Sequence, residues 1–389
     1  MVVNSLRRSS GVFVGAIVVL FSFLALPLHA QEDSAFRNIE VEARNSLIKG
    51  SDLDEWDLVG IGVGELDFQS GGSRRVRSRL NIRAEVAEVE GVGSVARFSV
   101  PRAFIRMRLP VGEEYLFRTT VGRSRVTWGD GALYNAGDLV FGTEGRRADL
   151  LSTSSIRDET DWLITAFLPL GRFSFIEPVI LVPDTDPGLA PAPVESPDRS
   201  DEDVVTGTPS FPRTAGGSRI QWKLWNIKME TAYLYRGGEE EHDGSFSFQG
   251  NLGPDVYGGV AGTVGKGVGG YDELRFTGGL FHQQRYGSVS AFSLRLEALF
   301  EPGSGEAADE LSFFPEITWS PSDSVALFGR VLVATVDPSA LWIAGGEWNI
   351  YQGLTLGSYV TVQSGSSSDR YGFDRFGGAS ITSSVRYLF

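Results

Sequence analysis

Ala379-Ser380-Ile381-Thr382-Ser383-Ser384-Val385-Arg386-Tyr387-Leu388-Phe389 is the last stretch of the chain, and its side chains alternate. Ile381, Ser383, Val385, Tyr387 and Phe389 fall on one face; Thr382, Ser384 and Arg386 fall on the other. Successive side chains of an extended strand point to opposite sides, so a period of two with one apolar face reads as a β-strand. Moving back along the chain, the pattern returns. Leu354, Leu356, Val360 and Val362 alternate with Thr355, Tyr359, Thr361 and Gln363. Val325, Leu327, Gly329, Val331 and Val333 alternate with a set that includes Arg330. Phe292, Leu294, Leu296, Ala298 and Phe300 alternate with Ser293, Arg295, Glu297 and Leu299. Gly, Pro, Asp and Ser separate these segments, and helical periodicity is absent.

At the other end, Arg7 and Arg8 precede an uncharged apolar run from Gly11 to Leu26, and Leu28-His29-Ala30 finishes on a small residue. That order reads as a signal peptide over residues 1–30, cleaved before Gln31, with an uncleaved anchor helix as the alternative. Beyond it no run of about 18 apolar residues occurs, so no further membrane helix is expected. The 389 residues carry 35 basic and 49 acidic side chains, a formal charge of -14. A nucleic-acid partner needs a basic surface, so none is expected. The chain contains no cysteine, which excludes disulfide scaffolds, cysteine zinc sites and thiol catalysis.

A final strand that ends on an aromatic residue, with Val385, Tyr387 and Phe389 on one face, resembles the C-terminal assembly signal of bacterial outer-membrane barrels. The resemblance implies recognition by the barrel-assembly machinery, residence in the cell outer membrane and contact with its lipid. In lipid every backbone polar group must be paired, and only a closed barrel pairs such strands completely. The expected fold is all-β: a transmembrane antiparallel β-barrel over residues 31–389, with about 18 strands (16 being possible) and both termini periplasmic. Connection lengths support it. Short links such as 69–73, 110–113, 169–172 and 320–323 read as periplasmic turns, and 125–159 and 183–216 as long outer loops.

A barrel of that size leaves an aqueous lumen unless a loop fills it. Residues 74–125 hold twelve Arg and five Glu, against the negative charge of the whole. On 74–88, Val76, Leu80, Ile82, Ala84 and Val86 alternate with Arg75, Arg77, Arg79, Asn81, Arg83 and Glu85. On 97–109, Ala103, Ile105, Met107 and Leu109 alternate with Arg102, Phe104, Arg106 and Arg108, and the strand 114–124 adds Arg118. A charge facing lipid at the midplane costs roughly 2–4 kcal/mol, so these arginines are expected to face the lumen. They would attract small anionic solutes there, or form a ladder neutralised by carboxylates across the lumen.

Gly122-Arg123-Ser124-Arg125-Val126-Thr127-Trp128-Gly129-Asp130-Gly131-Ala132-Leu133-Tyr134-Asn135-Ala136-Gly137-Asp138 resembles a stretch of alginate-exporter-like barrels and related substrate-selective porins. The resemblance covers about seventeen residues and carries over Arg123, Trp128, Asn135 and Asp138 as positions, without a substrate. This segment opens the third outer loop, which folds into the lumen in many porins. Asp130-Gly131 suits a tight turn, and Trp128 can anchor it against the wall. Asp130, Asn135 and Asp138 could pair with arginines or meet the solute, and Arg125 lies beside them. The bland alternative is that the motif pins the loop and nothing more.

The rest is less informative. The Pro- and acid-rich segment 183–216 cannot bury a core. Glu239, Glu240, Glu241, His242 and Asp243 read as an exposed acidic tip. No metal-ligand spacing stands out, Gly265-Lys266-Gly267 lacks the rest of a phosphate loop, and no cofactor is implied. His242 and His282 have no serine or acid at a telling offset, so no enzyme is expected. Two functions compete: a channel for small hydrophilic solutes, and a non-conducting surface, adhesin or structural barrel. A homo-oligomer is compatible with either.

Overall fold

The computed structural model describes residues 36–49, 56–70, 75–89, 93–111, 115–145, 148–153, 155–182, 214–238, 240–265, 273–303, 309–366, 368–372 and 378–389. The expected signal peptide and most of the segment 183–216 lie outside the described residues. So do Glu239, Lys266 and Gly267.

The strands, in chain order, are β1 (Phe36–Lys49), β2 (Asp57–Gln69), β3 (Val76–Val89), β4 (Gly93–Val111), β5 (Tyr115–Ser124), β6 (Asp161–Pro169), β7 (Phe175–Leu181), β8 (Ala215–Leu224), β9 (Ile227–Arg236), β10 (Glu241–Asn251), β11 (Asp255–Val264), β12 (Glu273–Tyr286), β13 (Ser290–Glu301), β14 (Glu310–Ser322), β15 (Val325–Ala334), β16 (Ser339–Tyr351), β17 (Leu354–Ser364) and β18 (Ala379–Leu388). Each pairs antiparallel with its sequence neighbours, and β1 pairs with β18 from Glu40↔Leu388 to Lys49↔Ala379. The eighteen-stranded sheet therefore closes on itself, and no edge is left to pair with another chain.

Alternation decides which side chains face out. Ile105, Leu109, Leu280, Leu294, Ile317 and Trp342 stay exposed on the exterior. Their neighbours, such as Arg106, Arg295, Glu316 and Arg330, point inward. An apolar exterior on a closed antiparallel barrel suits hydrocarbon, because the ladder satisfies the backbone and the side chains lose nothing in lipid. The links β2–β3, β4–β5, β6–β7, β8–β9, β10–β11, β12–β13, β14–β15 and β16–β17 are short, and both described termini lie at that same end.

One local expectation is corrected. The segment read as an acidic tip belongs to β10 from Glu241 onward, because pairing with β9 and β11 continues to Arg236 and Val264. Asp243 points inward, is buried, and accepts hydrogen bonds from Arg236 Nε at 2.7 Å and Thr263 Oγ1 at 2.8 Å. His242, on the same strand, faces outward, where the Tyr233 hydroxyl lies 2.7 Å from its Nδ1.

Candidate functional site

The register splits the arginines of β3–β5 into two groups. Arg79 donates twice to Asp67, at 2.8 Å each, Arg83 lies 3.8 Å from Glu85, and Arg102 bonds Asp158 at 2.5 Å. These charges are compensated. Nearer the short-turn end the pattern changes. Arg77 stands directly opposite Arg106, and Arg108 directly opposite Arg118. Among the described residues none of these four has a carboxylate partner; Arg106 bonds Thr120 Oγ1 at 3.3 Å and lies over Phe104, and Arg118 lies over Phe167 at 4.8 Å. Like charges facing each other across a ladder are destabilising, and here only one hydrogen bond and two ring contacts offset that repulsion.

The segment between β5 and β6 crosses the barrel interior and is held by buried carboxylates of two wall strands. Glu297 of β13 accepts the backbone N–H groups of Ala132 at 2.6 Å and of Leu133 and Tyr134 at 2.9 Å each. The Tyr257 hydroxyl also donates to it, at 2.5 Å. Glu230 of β9 accepts the Gly129 N–H at 2.6 Å and pairs with Arg219 at 2.9 Å. Both glutamates are almost fully buried, at 0% and 1% exposure, so their charge depends on these donors. The donors face the carboxylates because the backbone bends sharply. Gly129 has φ +67° and Gly131 φ +148°, and a Cβ at either would run into Asn135 Oδ1 or the Tyr134 carbonyl.

Apolar packing does the rest. Trp128, Leu139, Val140 and Phe141 pack with Leu163, Val179, Leu181, Ala232 and Leu234 of β6–β9. Leu133, Tyr134 and Ile156 pack with Leu299, Phe314, Phe328, Leu332 and Ile343 of β13–β16. Further along, Leu150 O accepts from Arg330 at 2.6 Å, and Thr153 donates to Glu347 at 2.8 Å.

The motif residues serve this crossing. Trp128 is fully buried, so it faces packing rather than open lumen. Asp130 pairs with Lys228 of β9 at 2.7 Å, and Asn135 donates to the Trp128 carbonyl at 2.8 Å. Asp138 pairs with Arg157 of the same segment at 2.9 Å and caps the N–H groups of Val140 and Phe141. Neither aspartate pairs with the arginines of β3–β5; their partners lie on β9 and within the loop itself. Arg123 is buried, with Nε 3.4 Å from Thr160 Oγ1. Arg125 reaches Thr127 and Ser155, and lies 3.4 Å from Asp158.

Of the cavities among the described residues, two flank the Asp138 part of the crossing segment. One, about 430 Å³, lies toward the short-turn end and is bounded by Arg125, Arg295, Glu316 and Arg330 among others. The second, about 260 Å³, lies toward the long-loop end beside Arg236, Asp243 and Arg275. Asp138 borders both. Sequence reading did not single out Glu230 and Glu297. An acid at mid-strand on the inward face was the available signal, but nothing in the sequence says which loop backbone will meet it. Among the described residues no group of three His, Cys, Asp or Glu could hold a metal ion.

No protein-family model matches the chain, and no curated protein matches it. Solved structures do. OccD3 (OpdP) of Pseudomonas aeruginosa is similar at 10% identity, with a TM-score of 0.51, over 92% of this chain and 93% of that one. The BenF-like porin of Pseudomonas fluorescens Pf-5 is similar at 9% identity, with a TM-score of 0.53, over 92% and 99%. Wzi of Escherichia coli, an outer-membrane protein involved in group 1 capsule assembly and described as a carbohydrate-binding β-barrel, is similar at 13% identity, with a TM-score of 0.55, over 92% and 85%. At these identities it is the architecture that is shared: the chain, with its eighteen strands, has the β-barrel fold of outer-membrane porins.

Proposed function

We propose that the protein is an outer-membrane channel for small hydrophilic solutes and that it favours anions. One observation carries the charge preference. Arg77, Arg106, Arg108 and Arg118 face one another, none of them in an ion pair among the described residues, on the inward side of adjacent strands. Between low-dielectric walls their field is focused, whereas acid on exposed loops is screened within about 8–10 Å at physiological salt. The short-turn end, with both termini, is then periplasmic, and the protein acts without catalysis. His242 and His282 are exposed and belong to separate strands.

The test is the reversal potential of the purified barrel in a planar bilayer under a KCl gradient. Anion preference is expected, falling toward neutrality in a variant with Arg77, Arg106 and Arg118 all changed to Ala. Cation preference in the unaltered protein would overturn the assignment. A second reading, a non-conducting surface or structural barrel, draws support from the apolar seat of the crossing loop. Such a barrel would insert and carry no current.

Export through the signal peptide over 1–30 and recognition of the Val385, Tyr387 and Phe389 face by the assembly machinery belong to the same proposal. Phe389 N–H donates to Ile39 O at 2.9 Å, and its ring meets Tyr387 edge-on. Deleting Phe389 should abolish most heat-modifiable barrel in outer-membrane fractions. A normal yield would count against that role.

A further inference from the structure

The cavity of about 430 Å³ beneath the crossing loop is bordered by four arginines and three acids, each of them in an ion pair. Arg157 pairs with Asp138 and Glu159, Arg295 and Arg330 share Glu316, and Arg125 lies against Asp158. Every charged side chain at this wall thus has an ion-pair partner, although Arg295 Nε itself makes no hydrogen bond among the described residues. The side chains that make no bond at all are uncharged. Gln283, Ser293 and Thr318 all border the cavity, and the register places them directly opposite one another on β12, β13 and β14. Among the described residues none of the three side chains makes a hydrogen bond within the protein, although polar groups on adjacent strands commonly bond one another.

An amide and two hydroxyls can each both donate and accept, which the ionised neighbours cannot. A hydroxyl group on a solute has the same dual character. Strand spacing sets the three groups about 4.8 Å apart, a separation that suits hydroxyls distributed around a small ring and not a single compact anion. Phe281, with the Arg295 guanidinium 4.9 Å from its centroid, adds an apolar surface for the C–H side of such a ring. The volume falls within the ~300–1,000 Å³ usual for small-molecule pockets.

We infer that this cavity binds a polyhydroxylated solute of mono- to disaccharide size, held by Gln283, Ser293 and Thr318. The inference deepens the channel reading and rests on it for transport, but not for binding. Uncompensated arginines at the short-turn end would then set charge preference, and this row would set recognition of hydroxyls.

The experiment is titration calorimetry of the purified barrel in detergent with glucose, gluconate and acetate, together with bilayer current in the presence of each. Glucose and gluconate should bind saturably, and acetate should not. Changing Gln283→Ala, Ser293→Ala and Thr318→Val together should weaken both sugars about tenfold or more, with heat-modifiable barrel retained. Thr318→Val alone, nearly isosteric, should weaken glucose a few-fold, and it serves if the triple variant fails to fold. Equal glucose binding by wild type and variants, or no saturable glucose binding at all, overturns the inference. Current without glucose binding leaves the channel reading standing and removes this one. Glucose binding without current does the reverse.

Discussion

The interior holds two charged regions built on opposite plans. On β9 and β13, Glu230 and Glu297 are almost fully buried, and each has donors aimed at it from the crossing loop. On β3–β5, Arg77, Arg106, Arg108 and Arg118 are part-exposed and face each other with no ion-pair partner among the described residues. A buried charge persists only where donors replace its lost water, so the glutamates are read through the loop they hold. A cluster of like charges remains open to water and counter-ions, so the arginines are read through what passes them. The difference teaches that the state of pairing, rather than the density of charge, separates a structural carboxylate from a candidate solute contact.

The largest effect should come from Glu297→Ala. It strands three loop N–H groups, each worth about 1–3 kcal/mol when left buried and unbonded. Hydrogen exchange of Ala132, Leu133 and Tyr134 should accelerate by at least tenfold, while Arg118→Ala leaves it unchanged. Equal protection in both variants would erase the contrast. A smaller effect, of opposite sign in the two groups of arginines, should follow from removing a paired and an unpaired member. Arg79→Ala abandons the buried Asp67 and should cost about 1–3 kcal/mol. Arg77→Ala relieves its repulsion with Arg106 and should be neutral or stabilising by about 0.2–1 kcal/mol. Urea unfolding of the refolded barrel measures both, and a common sign would break the division between the groups.

The smallest effect concerns Asp138. Burial pushes its carboxyl up to about 6, opposed by Arg157 and by the N–H groups of Phe141 and Val140, with Glu159 adding to the rise. The folded chain therefore holds a proton more firmly than the unfolded chain does. The stability this group contributes is full below the ordinary aspartate value near about 4, and it is lost as pH rises through 6. Exchange at Val140 and Phe141, corrected for intrinsic rate, should be a few-fold slower at pH 5 than at pH 7.5, and Asp138→Asn should level the two. A difference that survives in the Asn variant would assign the pH dependence elsewhere.

Much of the barrel could be read before any coordinates. Outward rows such as Leu294/Leu296 and Val360/Val362 are aliphatic along their length, and a period of two needs no tertiary information. The count of eighteen was open to sixteen and is settled by the pairing of β1 with β18. The interior was less readable, for a physical reason. Lumen positions were expected to be polar, but Leu234, Leu299, Phe314 and Leu332 point inward because the crossing loop covers them. Whether an inward phenylalanine meets water or protein depends on a segment far away in the chain, which periodicity cannot report. The motif from Gly122 to Asp138 stood out in the sequence, but its partners did not: Lys228 and Arg157 look ordinary in isolation.

The separations along the chain set an order of events. Gly129 finds Glu230 across 101 residues, Ala132 finds Glu297 across 165, and the Tyr134 hydroxyl meets that of Tyr371 across 237. Contacts this distant in sequence form slowly, because the entropy of closing the intervening chain must be overcome first. The loop belongs to the first half of the polypeptide, and much of its seat is made from strands synthesised last. Until β13–β17 have joined the sheet, Leu133, Tyr134 and Ile156 have no surface to cover them. The Trp128–Phe141 half of the loop can seat early on β6–β9, but the Leu133–Ile156 half is covered only once the C-terminal strands are in place, so the interior is completed from the C-terminal side.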